Sequence, residues 1–319
     1  MNHLLGIRDL TKENIYSYLE TSTGFIEVSQ RDIKKVPALR GKTVINLFLE
    51  PSTRTRASFE IAGKRMSADT INLSGSGTSV VKGESFLDTL ETLQAMNPDA
   101  IVLRHAKSGA AHFAARFLKT TSVINAGDGM NEHPTQALLD CLTLKRHFEK
   151  HGKGIEGLTI AIVGDVVHSR VARSNIWAHK TLGNRIKLVG PRSLVPKELA
   201  SDRCFGANIS IHHNLAEGIE GADVIMVLRM QRERQNQNFV PSIDEYSKVF
   251  CVGEKVIEAY APNSVVLHPG PANRGVEITG ALLDSERALV HDQVNHGVAV
   301  RMAVLFNTCV LDNDNREAA

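Results

Sequence analysis

The chain has 319 residues, 42% hydrophobic and 23% charged, and its 37 Lys and Arg against 35 Asp and Glu leave a formal net charge of +2. A length above the usual single-core size predicts two domains of about 150 residues each. Near-neutrality excludes the broad electrostatic footprint of a dedicated nucleic-acid or membrane-surface binder, so any anionic ligand is expected to be small and locally recognised.

The opening MNHLLGIRDL carries only a short apolar stretch before Arg8 and Asp9 and is not expected to act as a secretion signal. No apolar run approaches the roughly 20 residues of a membrane-spanning helix. Short β-branched runs then alternate with stretches of helical period, the pattern of an α/β protein with parallel sheets. In chain order, strands are expected at 44–49, 100–103, 122–125, 159–163, 186–189, 224–227 and 265–267, and His212 and His213 are read on a further strand. Helices are expected at 58–66, 85–96, 134–149, 169–182 and 297–311. The helix at 134 starts on a proline and repeats apolar residues at Ala137, Leu138, Cys141, Leu142 and Leu144. The Gly/Ser-rich LSGSGTS at 73–79 reads as a mobile loop, and the polar run KRHFEKHGKGIEG at 145–157 as the domain boundary, a solvated helix end and linker. Cys141, Cys204, Cys251 and Cys309 lie far apart without a CxxC pair and are expected to be reduced, buried thiols of a cytoplasmic protein.

The richest segment is EPSTRTR at 50–56, after an apolar strand and before a helix. Such a corner offers free backbone N–H groups and the positive end of a helix dipole to an anion. Ser52, Thr53 and Thr55 add hydroxyl donors, and Arg54 a planar fork that fits two phosphate oxygens. A bare STR is better explained as a helix cap; STRTR behind a buried strand points to phosphate. It is not a Walker loop, since no Gly-Lys-Ser/Thr follows. Arg104-His105 and then NEHPTQ at 131–136 close two further strands, and in an open parallel sheet ligands bind at the carboxyl ends of strands. Taken singly, Arg104 reads equally as a surface residue and His133 as a structural one. The HxxQ spacing at a Pro-initiated helix sets His133 and Gln136 on one helical face.

STRTR, Arg104, HPTQ and a later His-Pro-x-Pro together resemble the aspartate/ornithine carbamoyltransferase family, from about residue 6 to residue 311. The resemblance implies two domains, each a parallel sheet flanked by helices, with the active site in the crevice between them. Residues 1–145 would bind carbamoyl phosphate, 146–290 would bind the acceptor, and a helix within 291–319 would pack back on the first domain. Ser52, Thr53, Arg54 and Thr55 would hold carbamoyl phosphate, with Arg104, His133 and Gln136 around its carbamoyl group. When an amine attacks the carbamoyl carbon, charge grows on the carbonyl oxygen; Thr55, Arg104 and His133 are the candidate donors there, each worth roughly 3–4 kcal/mol of transition-state stabilisation. Gln136 would accept a carbamoyl N–H. In VVLHPGP at 265–271, Pro269 and Pro271 fix the backbone so that carbonyls near Pro269 and Gly270 would accept from the carbamoyl NH2. Some relatives carry Leu or Ala at Gly270, so this loop is expected to be floppier.

By the same resemblance Lys82, Arg170, Arg229 and Gln231 match the positions that bind aspartate. Each has a plainer reading: loop solubility for Lys82, a helix cap for Arg170, and a mixed-charge loop for 229–234. Their joint occurrence favours a dicarboxylate, because one cation about 4 Å from the ornithine ammonium would cost about 4 kcal/mol, a factor near a thousand. Glu50 is expected to bridge to Arg170 or Arg234. The implied reaction is transfer of the carbamoyl group of carbamoyl phosphate to the amino group of L-aspartate, in de novo pyrimidine biosynthesis, with no cofactor and no metal. The implied assembly is a cytoplasmic homotrimer in which Lys82, with Thr78 or Ser79, enters a neighbour's site. A regulatory chain or a dihydroorotase would be further partners. Competing readings are a carbamoyltransferase for another amine such as ornithine, whose Ser-Met-Gly and His-Cys-Leu-Pro signatures are missing, and a non-catalytic member scaffolding a dihydroorotase. A nicotinamide dehydrogenase lacks its GxGxxG, and Glu132-His133 lacks the HExxH spacing of a zinc hydrolase.

Overall fold

The computed structural model describes residues 2–75, 84–206, 208–231, 240 and 242–310. They form two compact units: the described residues up to Leu142 together with those from Asn295 onward, and Thr143–Val294.

The first unit is built on four parallel strands, β1 (Thr43–Phe48), β2 (Asp69–Ser74), β3 (Ala100–His105) and β4 (Ser122–Asp128), in the order β2-β1-β3-β4. Around them run α1 (Lys12–Gln30), α2 (Thr53–Arg65), α3 (Phe86–Ala95), α4 (Ala110–Phe117) and the start of α5 (Pro134–Glu149). β1 and β3 are central, so Val44, Ile45 and Leu47 with Ile101, Val102 and Leu103 are buried as near-continuous apolar runs. Ile45, Leu47, Ile101, Leu103 and Val123 pack with Leu90 and Leu93 of α3 and Ala110, Ala111 and Ala114 of α4 in one cluster. At about 1.5–3 kcal/mol per buried Val, Leu or Ile, it is a large source of stability for this unit.

The second unit carries β5 (Thr159–Val163), β6 (Arg185–Val189), β7 (Ile209–His212), β8 (Val224–Val227) and β9 (Val265–Leu267), all parallel, in the order β7-β6-β5-β8-β9. Its helices are α6 (Arg170–Thr181), α7 (Leu215–Ile219), α8 (Ile243–Phe250), α9 (Glu254–Tyr260) and α10 (Gly280–Leu283). The last helix, α11 (Val290–Cys309), begins in this unit and ends in the first. In each sheet the strand order reverses beside a central strand, between β1 and β3 and between β5 and β8. Such a switch point opens a crevice at the carboxyl edge.

The units part at 142/143 and 294/295, inside α5 and α11, a few residues from the divisions at 145/146 and 290/291 that the resemblance implies and ahead of the polar run at 145–157. A continuous helix has no compositional seam. Leu73 and Ser74, expected in a loop, end strand β2, and residues 76–83 lie outside the described residues. All four cysteines are free, and Cys141 and Cys309 are buried; the expectation fails for exposed Cys204 and half-buried Cys251. Burial raises the Cys309 thiol to about 12, so it is inert as a thiolate at neutral pH. No helix among the described residues is long and apolar enough to cross a membrane.

Candidate active site

In the first unit three strand ends supply the polar groups. β1 runs into Glu50 and Pro51, and Ser52 caps α2 with an extended backbone while making no side-chain capping bond. The first turn, Thr53-Arg54-Thr55, carries no acidic residue, so its N–H groups and dipole face an anion without an internal competitor. Thr53 and Arg54 are exposed, and Thr55 is buried against the sheet.

β3 pairs with β1 so that Arg104 stands opposite Phe48, and the Leu49 N–H donates to the Arg104 carbonyl at 2.8 Å. The Arg104 side chain is nearly buried. Its Nη2 donates to Glu50 Oε1 at 2.9 Å and its Nη1 to the Ala126 carbonyl at 3.1 Å, spanning the ends of β1 and β4. Glu50 engages Arg104 here, and Arg234 lies outside the described residues.

β4 ends on Asp128, whose carboxylate gathers the loop that follows. It accepts from the Gly109 N–H at 2.6 Å, Asn125 Nδ2 at 2.9 Å, Asn131 Nδ2 at 3.1 Å and the Glu132 N–H at 3.1 Å. Glu132 in turn accepts from the Ile7 N–H at 2.7 Å. Gly6 is needed beside it, since a Cβ there would stand 2.4 Å from Glu132 Oε1. Held from both sides, His133 precedes α5 and its carbonyl accepts the Gln136 N–H at 3.0 Å. His133 and Gln136 are both buried. Gln136 Nε2 donates to Asp140 Oδ1 at 3.0 Å, which engages the amide nitrogen and leaves Oε1 as the acceptor end of the side chain.

In the second unit Asp165, fully buried after β5, is the organising group. It contacts His168 Nδ1 at 2.8 Å and accepts from the Gln231 N–H at 3.4 Å, tying the ends of β5 and β8. Gln231 Nε2 donates to the Arg229 carbonyl at 3.3 Å. Arg170 opens α6 and is nearly buried, with the capping done by Ser169, which accepts the Ala172 N–H at 3.1 Å. After β9, His268 Nδ1 accepts the Gly270 N–H at 2.8 Å, so the ring proton is on Nε2, 3.4 Å from Glu277 Oε1. Gly270 has φ of 61°, a left-handed conformation that glycine adopts without strain, and it precedes Pro271 through a cis bond. The loop expected to be floppy is thus tied, through the Gly270 N–H, to the His268 ring.

The structure thus brings Ser52, Thr53, Arg54, Thr55, Arg104, His133 and Gln136 to one sheet edge, and Arg170, Arg229, Gln231, Gly270 and Pro271 to the corresponding edge of the other sheet. Lys82, Thr78, Ser79 and Arg234 lie outside the described residues. Sequence reasoning missed the supporting carboxylates Asp128, Glu132, Asp140 and Glu277, and His168. Spacing offers a signal for Asp128, in Ala-Gly-Asp after a strand, as it does for Asp165 in Val-Gly-Asp.

A family model described as the aspartate/ornithine carbamoyltransferase carbamoyl-P binding domain matches residues 2–146, and one described as the Asp/Orn binding domain matches residues 156–308. The chain is 52% identical over 309 residues to the aspartate carbamoyltransferase catalytic subunit of Magnetococcus marinus, covering 96% of this chain and 92% of the relative. Among solved structures, the catalytic subunit of M. jannaschii aspartate transcarbamoylase superposes with a TM-score of 0.82 at 34% identity, covering 98% of this chain and 99% of that one. The Trypanosoma cruzi aspartate transcarbamoylase in complex with carbamoyl phosphate and aspartate gives a TM-score of 0.81 at 26% identity, covering 96% of both chains.

Proposed function

Because the chain belongs to the aspartate/ornithine carbamoyltransferase family, we propose that the edge of its first sheet holds carbamoyl phosphate and that of its second receives L-aspartate. The enzyme transfers the carbamoyl group to the amino group of aspartate, giving N-carbamoyl-L-aspartate and phosphate. The observation that carries the assignment of roles is the meeting of a helix start without a side-chain capping bond, a strapped guanidinium and an oriented amide at three neighbouring strand ends.

Ser52, Thr53, Arg54 and the first N–H groups of α2 bind the phosphate oxygens. Thr55, Arg104 and His133 donate to the carbonyl oxygen, and Gln136 Oε1 accepts a carbamoyl N–H with main-chain carbonyls near Pro269 and Gly270, whose backbone Pro271 helps to fix. The amine attacks the carbamoyl carbon, a C–N bond forms, and charge accumulates on the carbonyl oxygen where fixed donors are strongest. The C–O bond to phosphate then breaks, and the departing phosphate takes the amine proton. Lys82, Arg170, Arg229 and Gln231 receive the two aspartate carboxylates. Three cations at that end reject an acceptor bearing a second ammonium, which separates aspartate from ornithine.

The working assembly is a cytoplasmic homotrimer with shared sites. Four free thiols support a reducing compartment. Mixing an Arg54→Ala variant with a Lys82→Ala variant is expected to restore activity through subunit exchange; no recovery would mean self-contained sites. The reading as a whole is tested by a colorimetric carbamoyl-aspartate assay, run beside the same assay with ornithine. Turnover of ornithine alone would reassign the acceptor, and turnover of neither would reject the proposal.

A further inference from the structure

One buried cation has no part in the reaction as described above. Arg301 of α11 is only 5% exposed. Its Nη1 donates to Ser58 Oγ at 3.0 Å and to the Gly297 carbonyl at 2.9 Å, and its guanidinium lies 5.3 Å from the centre of the Phe59 ring. The buried Nε meets no acceptor among the described residues. Gly297 makes the space, since a Cβ there would stand 2.7 Å from Nη1 and 3.2 Å from Leu139 Cδ2. Burial first, and then the nearby Arg54, lower the guanidinium to about 10 against the opposing pull of Asp140, so it stays charged at neutral pH.

A guanidinium taken out of water with one N–H unmet is costly, and an apolar side chain stacked on Phe59 would fill the same space without that cost. Its position suggests what offsets the cost. Ser58 lies four residues after Arg54 in α2, so the two share a helix face, and the charge of Arg301 is fixed one turn behind Arg54. The two like charges repel, and an anion at the helix start would relieve that repulsion.

We propose that Arg301 is a positioning residue for the phosphate end of the site: tethered to Ser58, it keeps the Arg54 guanidinium directed to the helix start and adds its own buried charge to the field that binds a dianion. The inference rests on the reading of residues 52–55 as the phosphate cradle.

The test compares Arg301→Met, Arg301→Lys, Arg54→Ala and the Arg54→Ala/Arg301→Met pair. The readouts are carbamoyl phosphate KM, kcat and the inhibition constant of inorganic phosphate for the variants that keep Arg54, the phosphate dissociation constant by calorimetry for all four, and thermal unfolding. Arg301→Met is expected to raise both the KM and the phosphate inhibition constant roughly tenfold, with kcat within about threefold of the parent. Arg301→Lys should recover most of that affinity, and the effect of Arg301→Met should shrink in the Arg54→Ala background. A lower unfolding temperature with unchanged KM and inhibition constant would mean a purely structural residue and overturn the proposal, as would a Lys variant no better than Met. Should Arg301→Met fail to fold, Ser58→Ala removes the tether alone; a severalfold weaker phosphate inhibition supports the proposal, and unchanged inhibition overturns it. If Arg54→Ala leaves phosphate binding by calorimetry untouched, the cradle itself is refuted, an outcome distinct from an inert Arg301.

Discussion

Arg104 and Glu50 hold one another across two strand ends, Nη2 to Oε1 at 2.9 Å, with side chains 10% and 19% exposed. The bond aims the guanidinium as well as neutralising it, since Nη1 is committed to the Ala126 carbonyl. Loss of a transition-state donor typically costs a factor of about 100–1000 in kcat, and that is expected for Arg104→Ala. Glu50→Ala keeps the donor but frees it, so a smaller fall, roughly tenfold, is expected in steady-state carbamoyl-aspartate assays. Equal kcat for Glu50→Ala and the parent would show that the strap contributes nothing.

Gly6 lies against Glu132, the residue before His133. A methyl group there would press on the carboxylate that accepts the Ile7 N–H. Gly6→Ala should therefore destabilise the protein by about 1–3 kcal/mol in urea titration and lower kcat through His133. Parent-like values for both would mean that the N-terminal segment shifts aside without consequence.

Asp140 orients the Gln136 amide by accepting from Nε2. Asp140→Ala removes that acceptor, so the amide can turn and present a donor where the carbamoyl NH2 needs an acceptor. A kcat loss of about tenfold is expected. Asp140→Asn retains an oxygen and should lose less. If the two variants behave alike, the orienting role is wrong.

His179 is fully buried, accepts from Asn184 Nδ2 at Nδ1, and burial lowers it from 6.5 to about 4. The unfolded chain takes up this proton at a higher pH than the folded protein does. Stability is accordingly undiminished above pH 6.5, falls as pH drops from 6.5 towards 4, and levels off below, a loss of roughly 3 kcal/mol in all. Denaturant unfolding at pH 6.5 and 5 should show about 2 kcal/mol less loss in His179→Leu than in the parent. An identical pH dependence in the two proteins would exclude His179 as the source.

The strands that could be read in the sequence are the buried ones: Val44–Leu47, broken only by Asn46, and Ile101–Leu103 carry near-continuous apolar runs, and the edge strands β4 and β9 are buried along their length as well. β2, reading Asp-Thr-Ile-Asn-Leu-Ser with half its residues exposed, is an edge strand defined by its pairing with β1 and leaves no such trace. α1 escaped for a related reason: few of its 19 residues are buried, among them Ile15, Leu19 and Val28, and its apolar stripe is thin. In the site, STRTR, Arg104 and HPTQ were visible because hydroxyls, arginines and an imidazole at strand ends have a direct chemical reading. Glu50 reaches Arg104 and Arg301 reaches Ser58 across 54 and 243 positions, contacts invisible to local spacing, whereas Asp128 and Asp140 act from four residues away and have no chemical reading of their own until the fold shows what they hold.

The second unit is one continuous stretch of chain, whereas the first is completed only by α11, more than 150 residues after its opening portion ends. During synthesis the inserted stretch can close on its own sheet while the earlier portion still waits for its final helix. Arg301 cannot reach Ser58 until that helix leaves the ribosome, so the anion-binding corner, though written near the start of the message, is among the last places to mature. Premature termination after residue 294 would accordingly leave a folded inserted unit beside a phosphate cradle that lacks its backing.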